Sequence, residues 1–263
     1  AIWYQGESNT SETEIPKYGG KMRDLLNGWK RVFENQRYKL YFAQLCPWGN
    51  PLVPLMQEEQ EKFARSEPDA GMAVLCDVGN LHDIHPNDKE TVGLRLALLA
   101  LKRDYGFDKV VADSPTLESW KVADGKFVMK FRDVKKWGIY DPDWRIHRDP
   151  AKSAEYGFEI AGADGKWVKA EIGNILRLPN VKHVEYRGQI TNEELVVFSP
   201  QVKEPKALRY LHSEPWRGYL LNEAGLPVGA FHIGDLDVEA AAKKKAAADK
   251  MKPIANHRVK RFS

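Results

Sequence analysis

The chain has 263 residues, of which 43% are hydrophobic and 29% charged, enough apolar material for one large domain or two ordinary ones. No apolar run is long enough to cross a bilayer, which excludes a membrane-spanning helix. The net charge is +3, but residues 241–263 hold eight Lys and Arg against one acid, Asp249. That segment carries +7 and the rest of the chain sums to −4, so bulk charge gives no indication of nucleic-acid binding.

The first 106 residues alternate between strand and helix patterns. Strands are predicted at residues 1–5, 38–45 and 71–76, because each is a short run of apolar and β-branched or aromatic residues. Helices are predicted from Pro16 to about Phe33, at residues 53–65, and at residues 88–105. Asn87 and Glu90 have the spacing of a capping box, and Gly106 ends the third helix.

Buried strands separated by helices predict a parallel sheet that is covered on both faces. Ligands bind such sheets at the carboxyl ends of the strands. The loops that begin at Gly6 and Asp77 both follow strands, so we expect Gln5, Glu7, Asp83 and His85 to share that edge. Cys46 and Cys76 lie in apolar runs and are predicted to be free core cysteines.

The pattern changes after Gly106. Asp124-Gly125 and Asp164-Gly165 each separate short runs rich in aromatic and β-branched residues, a strong hairpin signal. Further strands are predicted at residues 181–186, 195–198 and 207–212. We therefore predict an α/β domain at residues 1–106, an all-β, jelly-roll-like sandwich at residues 107–236, and a basic Ala/Lys-rich tail at residues 237–263.

The loop at residues 77–89 places two histidines and several aspartates after a buried strand. His85 suits a general base, since histidine exchanges protons near neutral pH; it equally suits a residue that caps the next helix. His82, Asp83 and His85, with Glu7, also have the residue types of a metal shell. The chain lacks an H-E-x-x-H helix and suitably placed cysteines, so we predict no metal here.

The segment Trp3-Tyr4-Gln5-Gly6-Glu7-Ser8-Asn9 forms a second cluster at a strand end. Gly6 lets a substrate approach the backbone, and the Gln5 amide is able to donate to an oxyanion. Ser8 lacks the G-x-S-x-G setting of a nucleophile and is interpreted as a loop serine that bonds local backbone groups.

These residues resemble the sialate O-acetylesterase family of the SGNH-hydrolase superfamily. The likeness rests on several motifs that recur in order over most of residues 1–234: Trp3 to Asn9, Tyr41-Phe42-Ala43-Gln44-Leu45, Asp83-Ile84-His85-Pro86, Gly157 to Gly165, Pro205 to Tyr210, and Gly225-Leu226-Pro227. The resemblance implies an α/β fold with a second half of an SGNH-type parallel sheet. It also implies removal of acetyl groups from sugar hydroxyls, with no metal and no organic cofactor.

The resemblance assigns a role to each matching residue. His85 matches the catalytic histidine, and Gln5, Gly6 and Asn9 match oxyanion or substrate-binding positions. Family members with a D-x-x-H motif have an aspartate three residues before the histidine, where this chain has His82. Asp83 and Glu7 both remain candidates for the acid that supports His85.

The family's nucleophilic serine lies in a Gly-Gln-Ser-Asn motif, which is absent from these 263 residues. We therefore expect a second polypeptide or an upstream segment to supply the serine.

An acetylated carbohydrate substrate favours secretion to the medium, a periplasm or a lysosome. Acetyl xylan or another polysaccharide ester is an alternative substrate. A non-catalytic carbohydrate-binding fragment, using Trp167, Tyr186, Tyr210 and Trp216, is an alternative function, although sandwich packing is the simpler interpretation of those aromatic residues.

Overall fold

A three-stranded parallel sheet organises the first hundred residues of the computed structural model, which describes residues 1–80, 82–140, 156–177, 188–190, 194–213 and 219–234. Its strands are β1 (Ile2–Trp3), β2 (Leu40–Ala43) and β3 (Ala70–Ala73), hydrogen-bonded in the order β1-β2-β3. Three helices connect and follow them: α1 (Ile15–Val32), α2 (Val53–Ser66) and α3 (Lys89–Arg103). A single 3-10 turn, Glu7–Asn9, follows β1.

Alternate residues of a strand point to opposite faces of the sheet, and the apolar side chains on both faces are covered by helices. Leu40 and Phe42 of β2 pack in one apolar cluster with residues of α1 and α2, including Leu26 and Phe63. Tyr41 and Ala43 pack on the other face with the apolar side of α3. The continuous apolar strands therefore reflect burial on both faces, as their sequence predicts.

The third helix begins one residue later than its capping pattern indicates. Asp88, not Asn87, is the N-cap, and its carboxylate accepts a hydrogen bond of 2.9 Å from the N–H of Thr91. Aspartate caps a helix as well as asparagine does, and its negative charge also interacts favourably with the positive N-terminal end of the helix dipole. The predicted pairing of Asn87 with Glu90 is therefore wrong by one position.

Antiparallel strands make up the rest of the described chain. The twelve strands are β4 (Thr116–Ala123), β5 (Lys126–Arg132), β6 (Gly138–Tyr140), β7 (Phe158–Ala161), β8 (Trp167–Lys169), β9 (Glu171–Ile172), β10 (Ile175–Arg177), β11 (Gly188–Ile190), β12 (Leu195–Phe198), β13 (Ala207–Tyr210), β14 (Tyr219–Leu221) and β15 (Phe231–Ile233). They form two four-stranded sheets, β4-β5-β12-β9 and β15-β13-β7-β8, and two pairs, β10-β11 and β14-β6. The predicted fold class, a parallel α/β sheet followed by antiparallel β sheets, is confirmed.

Both predicted Asp-Gly hairpins are present. Asp124 (φ 51°) and Gly125 (φ 70°) join β4 to β5 with both residues in the left-handed region. This backbone matches the twist of the flanking strands, which explains why Asp-Gly is so informative. Gly165 (φ 69°) lies in the turn between β7 and β8. The strand predicted at residues 181–186 lies outside the described residues.

The β region shares its core with the α/β region. Val74 and Cys76, just after β3, belong to the same apolar cluster as the inner faces of the two four-stranded sheets. Cys76 Sγ lies 3.3 Å from the carbonyl of Val228, and both cysteines are free and buried, as predicted. The buried amide of Asn222 donates to the carbonyls of Asp113 and Asp133, so one side chain joins the segment that follows α3 to the β region.

Candidate active site

The loop after β1 has a backbone that only glycine adopts easily. Gly6 has φ +148°, and a Cβ there would lie 3.0 Å from the Leu45 side chain. The carbonyl of Gln5 accepts a hydrogen bond of 2.5 Å from the hydroxyl of Tyr18 on α1. Gly6 therefore allows the loop to turn tightly over Leu45, while Tyr18 fixes the position of Gln5.

The side chain of Gln5 is oriented by Asn9, four residues later. Gln5 Nε2 donates to Asn9 Oδ1 at 2.8 Å, and Asn9 Nδ2 lies 3.4 Å from Glu14 Oε2. One of the two amide N–H groups of Gln5 is thereby used, and the other remains able to donate to a ligand. The predicted residues Gln5, Gly6 and Asn9 thus form one connected loop.

The loop after β3 holds its histidine by a local carboxylate. Asp83 Oδ1 accepts hydrogen bonds from the backbone N–H of His85 at 2.8 Å and from its Nδ1 at 3.1 Å. The His85 backbone N–H, together with the imidazole, lowers the pKa of Asp83. An Nδ1–H held by a carboxylate leaves Nε2 as the free base, which is the tautomer that acyl transfer requires.

His85 is open to solvent. Its side chain is 80% exposed and that of Asp83 is 51% exposed, whereas Pro86 next to them is buried. Pro86 therefore anchors the loop to the body of the protein and leaves the imidazole at the surface. An exposed pair of this kind is held weakly, because water competes for both partners.

A buried ion pair supports the start of this loop. Both carboxylate oxygens of Asp77 accept bonds of 2.6 Å from the guanidinium of Arg95 on α3, and Arg95 also donates to the carbonyl of Val74. This bidentate geometry is the strong form of the Arg–carboxylate interaction. No local sequence pattern predicts this pair, because the two residues are 18 positions apart and lie on different elements.

The two loops meet at the edge where β1 and β3 end. Lys89 Nζ, at the end of the second loop, lies 5.7 Å from the ring centroid of Tyr4, the residue before Gln5. The Tyr4 hydroxyl in turn lies 3.0 Å from Cys46 Sγ, after β2. Segments following all three strands are therefore connected. Neither Tyr4 nor Lys89 stands out in the sequence as a functional residue.

The structure does not join every predicted residue. In the described part of the chain, no hydrogen bond or ion pair links Glu7 to His85, and Asp83 is the only acid in contact with that imidazole. Cys46 does not offer a nucleophile, because burial raises the pKa of its thiol to about 11. Within the described residues, then, the candidate chemistry at this edge rests on Gln5, Asp83 and His85.

The aromatic residues weighed as a glycan-binding surface pack within the protein where they are described. Tyr210 is fully buried, and its ring lies 4.5 Å from that of Phe158. Trp167 is covered by the guanidinium of Arg209 at 4.4 Å. Tyr186 and Trp216 lie outside the described residues. Among the residues that the structure describes, no helix is both long and apolar enough to span a membrane.

The fold is similar to that of a solved carbohydrate acetylesterase. That structure is XAC1771, a carbohydrate acetylesterase from Xanthomonas citri, which matches with a TM-score of 0.68 and 27% sequence identity. The match covers 88% of this chain and 49% of XAC1771, so the chain spans about half the length of that protein. Five solved chains match in all, whereas no family model and no curated protein matches.

Proposed function

We propose that this chain is the histidine-bearing part of a carbohydrate O-acetylesterase of the sialate O-acetylesterase type. The observation that carries the proposal is the Asp83–His85 pair at the carboxyl edge of a parallel sheet, in a chain whose fold is acetylesterase-like. Ligands of open parallel sheets bind at this edge. The pair supplies a histidine with an oriented Nδ1 and a free Nε2.

The proposed reaction is a two-step acyl transfer. His85 Nε2 takes the proton of a serine, and the serine oxygen attacks the acetyl carbonyl carbon. The free N–H of Gln5 stabilises the oxyanion that forms. His85 then gives its proton to the departing sugar oxygen. Water, deprotonated by His85, attacks the acyl-serine, and His85 returns that proton to the serine oxygen as the C–O bond breaks and acetate leaves.

The serine belongs, in this proposal, to an upstream segment or a second polypeptide that packs beside β1. β1 is an edge strand of the three-stranded sheet, so one row of its backbone groups is free to pair. Ile2 on β1 is also strongly exposed, at 73%. An added parallel strand would lie beside Ile2 and bring its own carboxyl end to the edge that holds His85.

The test uses the chain together with its upstream segment and measures acetate release from an O-acetylated sialic acid and from acetylated xylan. We expect His85→Ala to lower kcat by roughly 10³-fold or more, the size of a general-base contribution. Glu90→Gln, an exposed change on α3, is the control and keeps full activity. Activity of His85→Ala within a few-fold of the unmodified enzyme would contradict the proposal.

The supporting acid is tested separately in the same protein. Asp83 touches His85, so we expect Asp83→Asn to lower kcat roughly 10²-fold or more with little change in KM. Glu7→Gln is the matched change at the second candidate. If Glu7→Gln costs more activity than Asp83→Asn, Glu7 is the acid that orients His85 in the assembled enzyme.

A further inference from the structure

A second group of imidazoles and carboxylate lies between the α/β region and the β region. Glu58 on α2 meets His212, just after β13, and His232 on β15. His212 Nε2 lies 2.6 Å from Glu58 Oε1, and His232 Nδ1 lies 2.7 Å from Oε2 and 2.8 Å from Oε1. Three separate elements therefore direct their side chains to one point.

The group is buried on one side and reachable on the other. The side chains of His212 and Glu58 are 3% and 9% exposed, whereas that of His232 is 32% exposed. The two imidazole rings stand nearly perpendicular, at 86°, with centroids 5.9 Å apart. Perpendicular rings that converge on one carboxylate resemble ligands around a centre more than a stacked pair.

The carboxylate of Glu58 is ionised despite its burial. Burial alone would raise its pKa, but the hydrogen bonds from His212 and His232 lower it overall to about 2. An ionised carboxylate and two imidazole nitrogens are the donor set of His₂Glu zinc sites, in which a fourth position is left for water. The exposed side of His232 gives that fourth position access to solvent.

The present spacing is that of hydrogen bonds, and a metal would open it slightly. Ligand atoms about 2.0–2.1 Å from a tetrahedral Zn²⁺ lie roughly 3.3 Å from one another. The ligand atoms of the three residues already lie within 4.8 Å of one another. Both imidazole nitrogens, that of the buried His212 as well as that of the partly exposed His232, must therefore move about 0.6 Å away from the carboxylate, with the metal replacing the hydrogen-bonding protons.

We propose that Glu58, His212 and His232 bind a divalent transition metal of the zinc class and so link helix α2 to strands β13 and β15. The site is distinct from the Asp83–His85 pair and does not depend on the proposed esterase function. Its ligands come from positions 154 and 174 residues apart along the chain. A metal that binds these residues only in the folded chain stabilises the contact between the two regions.

The first test titrates the metal-free full chain with ZnCl₂ by isothermal titration calorimetry. We expect one Zn²⁺ per chain and a rise in Tm that EDTA reverses. His232→Gln is expected to weaken binding by about 100-fold or more, since the loss of residues that merely orient metal ligands already costs 10–100-fold. Glu59→Gln, which changes the neighbouring carboxylate on α2, is the matched control and binds Zn²⁺ like the unmodified chain.

The second test keeps the unmodified chain, so it does not depend on whether a variant folds. Crystals soaked with ZnCl₂ are measured at the zinc absorption edge. An anomalous peak among the three residues supports the proposal. The proposal is overturned by a peak only elsewhere, by no peak, or by unchanged Zn²⁺ affinity in folded His232→Gln.

Discussion

Asp83–His85 and Glu58–His212–His232 both join imidazole to carboxylate, but solvent reaches the first group freely and the second from one side only. In the exposed pair, Asp83 holds one nitrogen of His85 and leaves the other available for proton transfer. In the buried group, both imidazoles direct a nitrogen at one carboxylate. The comparison shows that surroundings, more than residue type, separate a candidate base from a structural or metal-binding group.

Two buried glutamates on α2, Glu58 and Glu61, show how partners change the effect of burial on the pKa of a carboxyl group. Burial tends to raise the pKa of both, but two histidines lower that of Glu58 to about 2. Glu61, one turn further along, pairs with Arg65 at 3.5 Å, and burial raises its pKa to about 7. A buried acid is therefore stabilised as a charge only where short hydrogen bonds replace the water it loses.

The largest effect is expected from Glu58→Ala. Removing the carboxylate leaves two imidazoles without their shared acceptor in a mostly buried position, which costs about 3–5 kcal/mol for a broken buried ion pair. Urea unfolding of the metal-free chain measures this loss. Glu59→Ala, its neighbour on α2, is expected to cost about 0.5 kcal/mol or less. Equal losses for the two variants would mean that the cluster of Glu58 with the two histidines does not stabilise the folded chain.

Asp77→Asn tests a buried pair at the edge that carries His85. The amide keeps the shape of the carboxylate but leaves the buried guanidinium of Arg95 with a neutral partner, so we expect a loss of about 2–3 kcal/mol. Urea unfolding gives the value, and Asp88→Asn at the exposed helix cap is the comparison, with a clearly smaller cost because asparagine caps a helix about as well as aspartate. An Asp77→Asn cost as small as that of the cap would show that the pair is not a main anchor of the loop.

Glu61→Gln should stabilise the chain at high pH only. The carboxyl of Glu61 ionises near 7 in the folded chain and near 4.5 when unfolded, so its contribution to stability is present below pH 4.5 and is lost as pH rises through 7. Glutamine has no carboxyl group to ionise, so the variant does not lose this part of its unfolding free energy as the pH rises. Relative to the unmodified chain, we expect a gain about 2 kcal/mol larger at pH 8 than at pH 4.5. Urea unfolding of both proteins at pH 4.5 and pH 8 measures the gain. A difference in unfolding free energy that is the same at both pH values would contradict the raised pKa of Glu61.

The smallest effect is expected for Asp83→Ala. Because the pair with His85 is exposed, its loss should leave the urea midpoint of unfolding nearly unchanged. Urea unfolding measures this midpoint beside that of Glu58→Ala. A clear fall in the midpoint would show that the loop is held by this pair and not by Pro86 and Asp77.

Local patterns predicted much of the fold, because the physics that sets them is local. The Asp-Gly turns require left-handed backbone, and the apolar strands require burial on both faces; both are visible within a few residues. Asp83 and His85 are two positions apart, so their neighbourhood was predictable as well. Asp88 rather than Asn87 caps α3, because adjacent polar residues are equally good caps and tertiary packing selects between them.

Long-range partners could not be predicted from one sequence. His212 and His232 each stand singly on or beside a strand, and nothing near them indicates that Glu58 will be their common partner. Arg95 resembles any other helix residue until Asp77 is placed beside it. Such contacts depend on how the sheets pack, and this information is spread over the whole chain.

The contact between Cys76 and Val228 has a consequence for synthesis of the protein. The two residues are 152 positions apart, and Val74 and Cys76 belong to a core cluster that the late strands β13, β14 and β15 complete. At about 5–20 residues per second, roughly 8–30 s pass between the translation of one and that of the other. For that time the nascent chain presents an unfinished apolar face, so ribosome-bound chains that stop before residue 228 should be captured by chaperones.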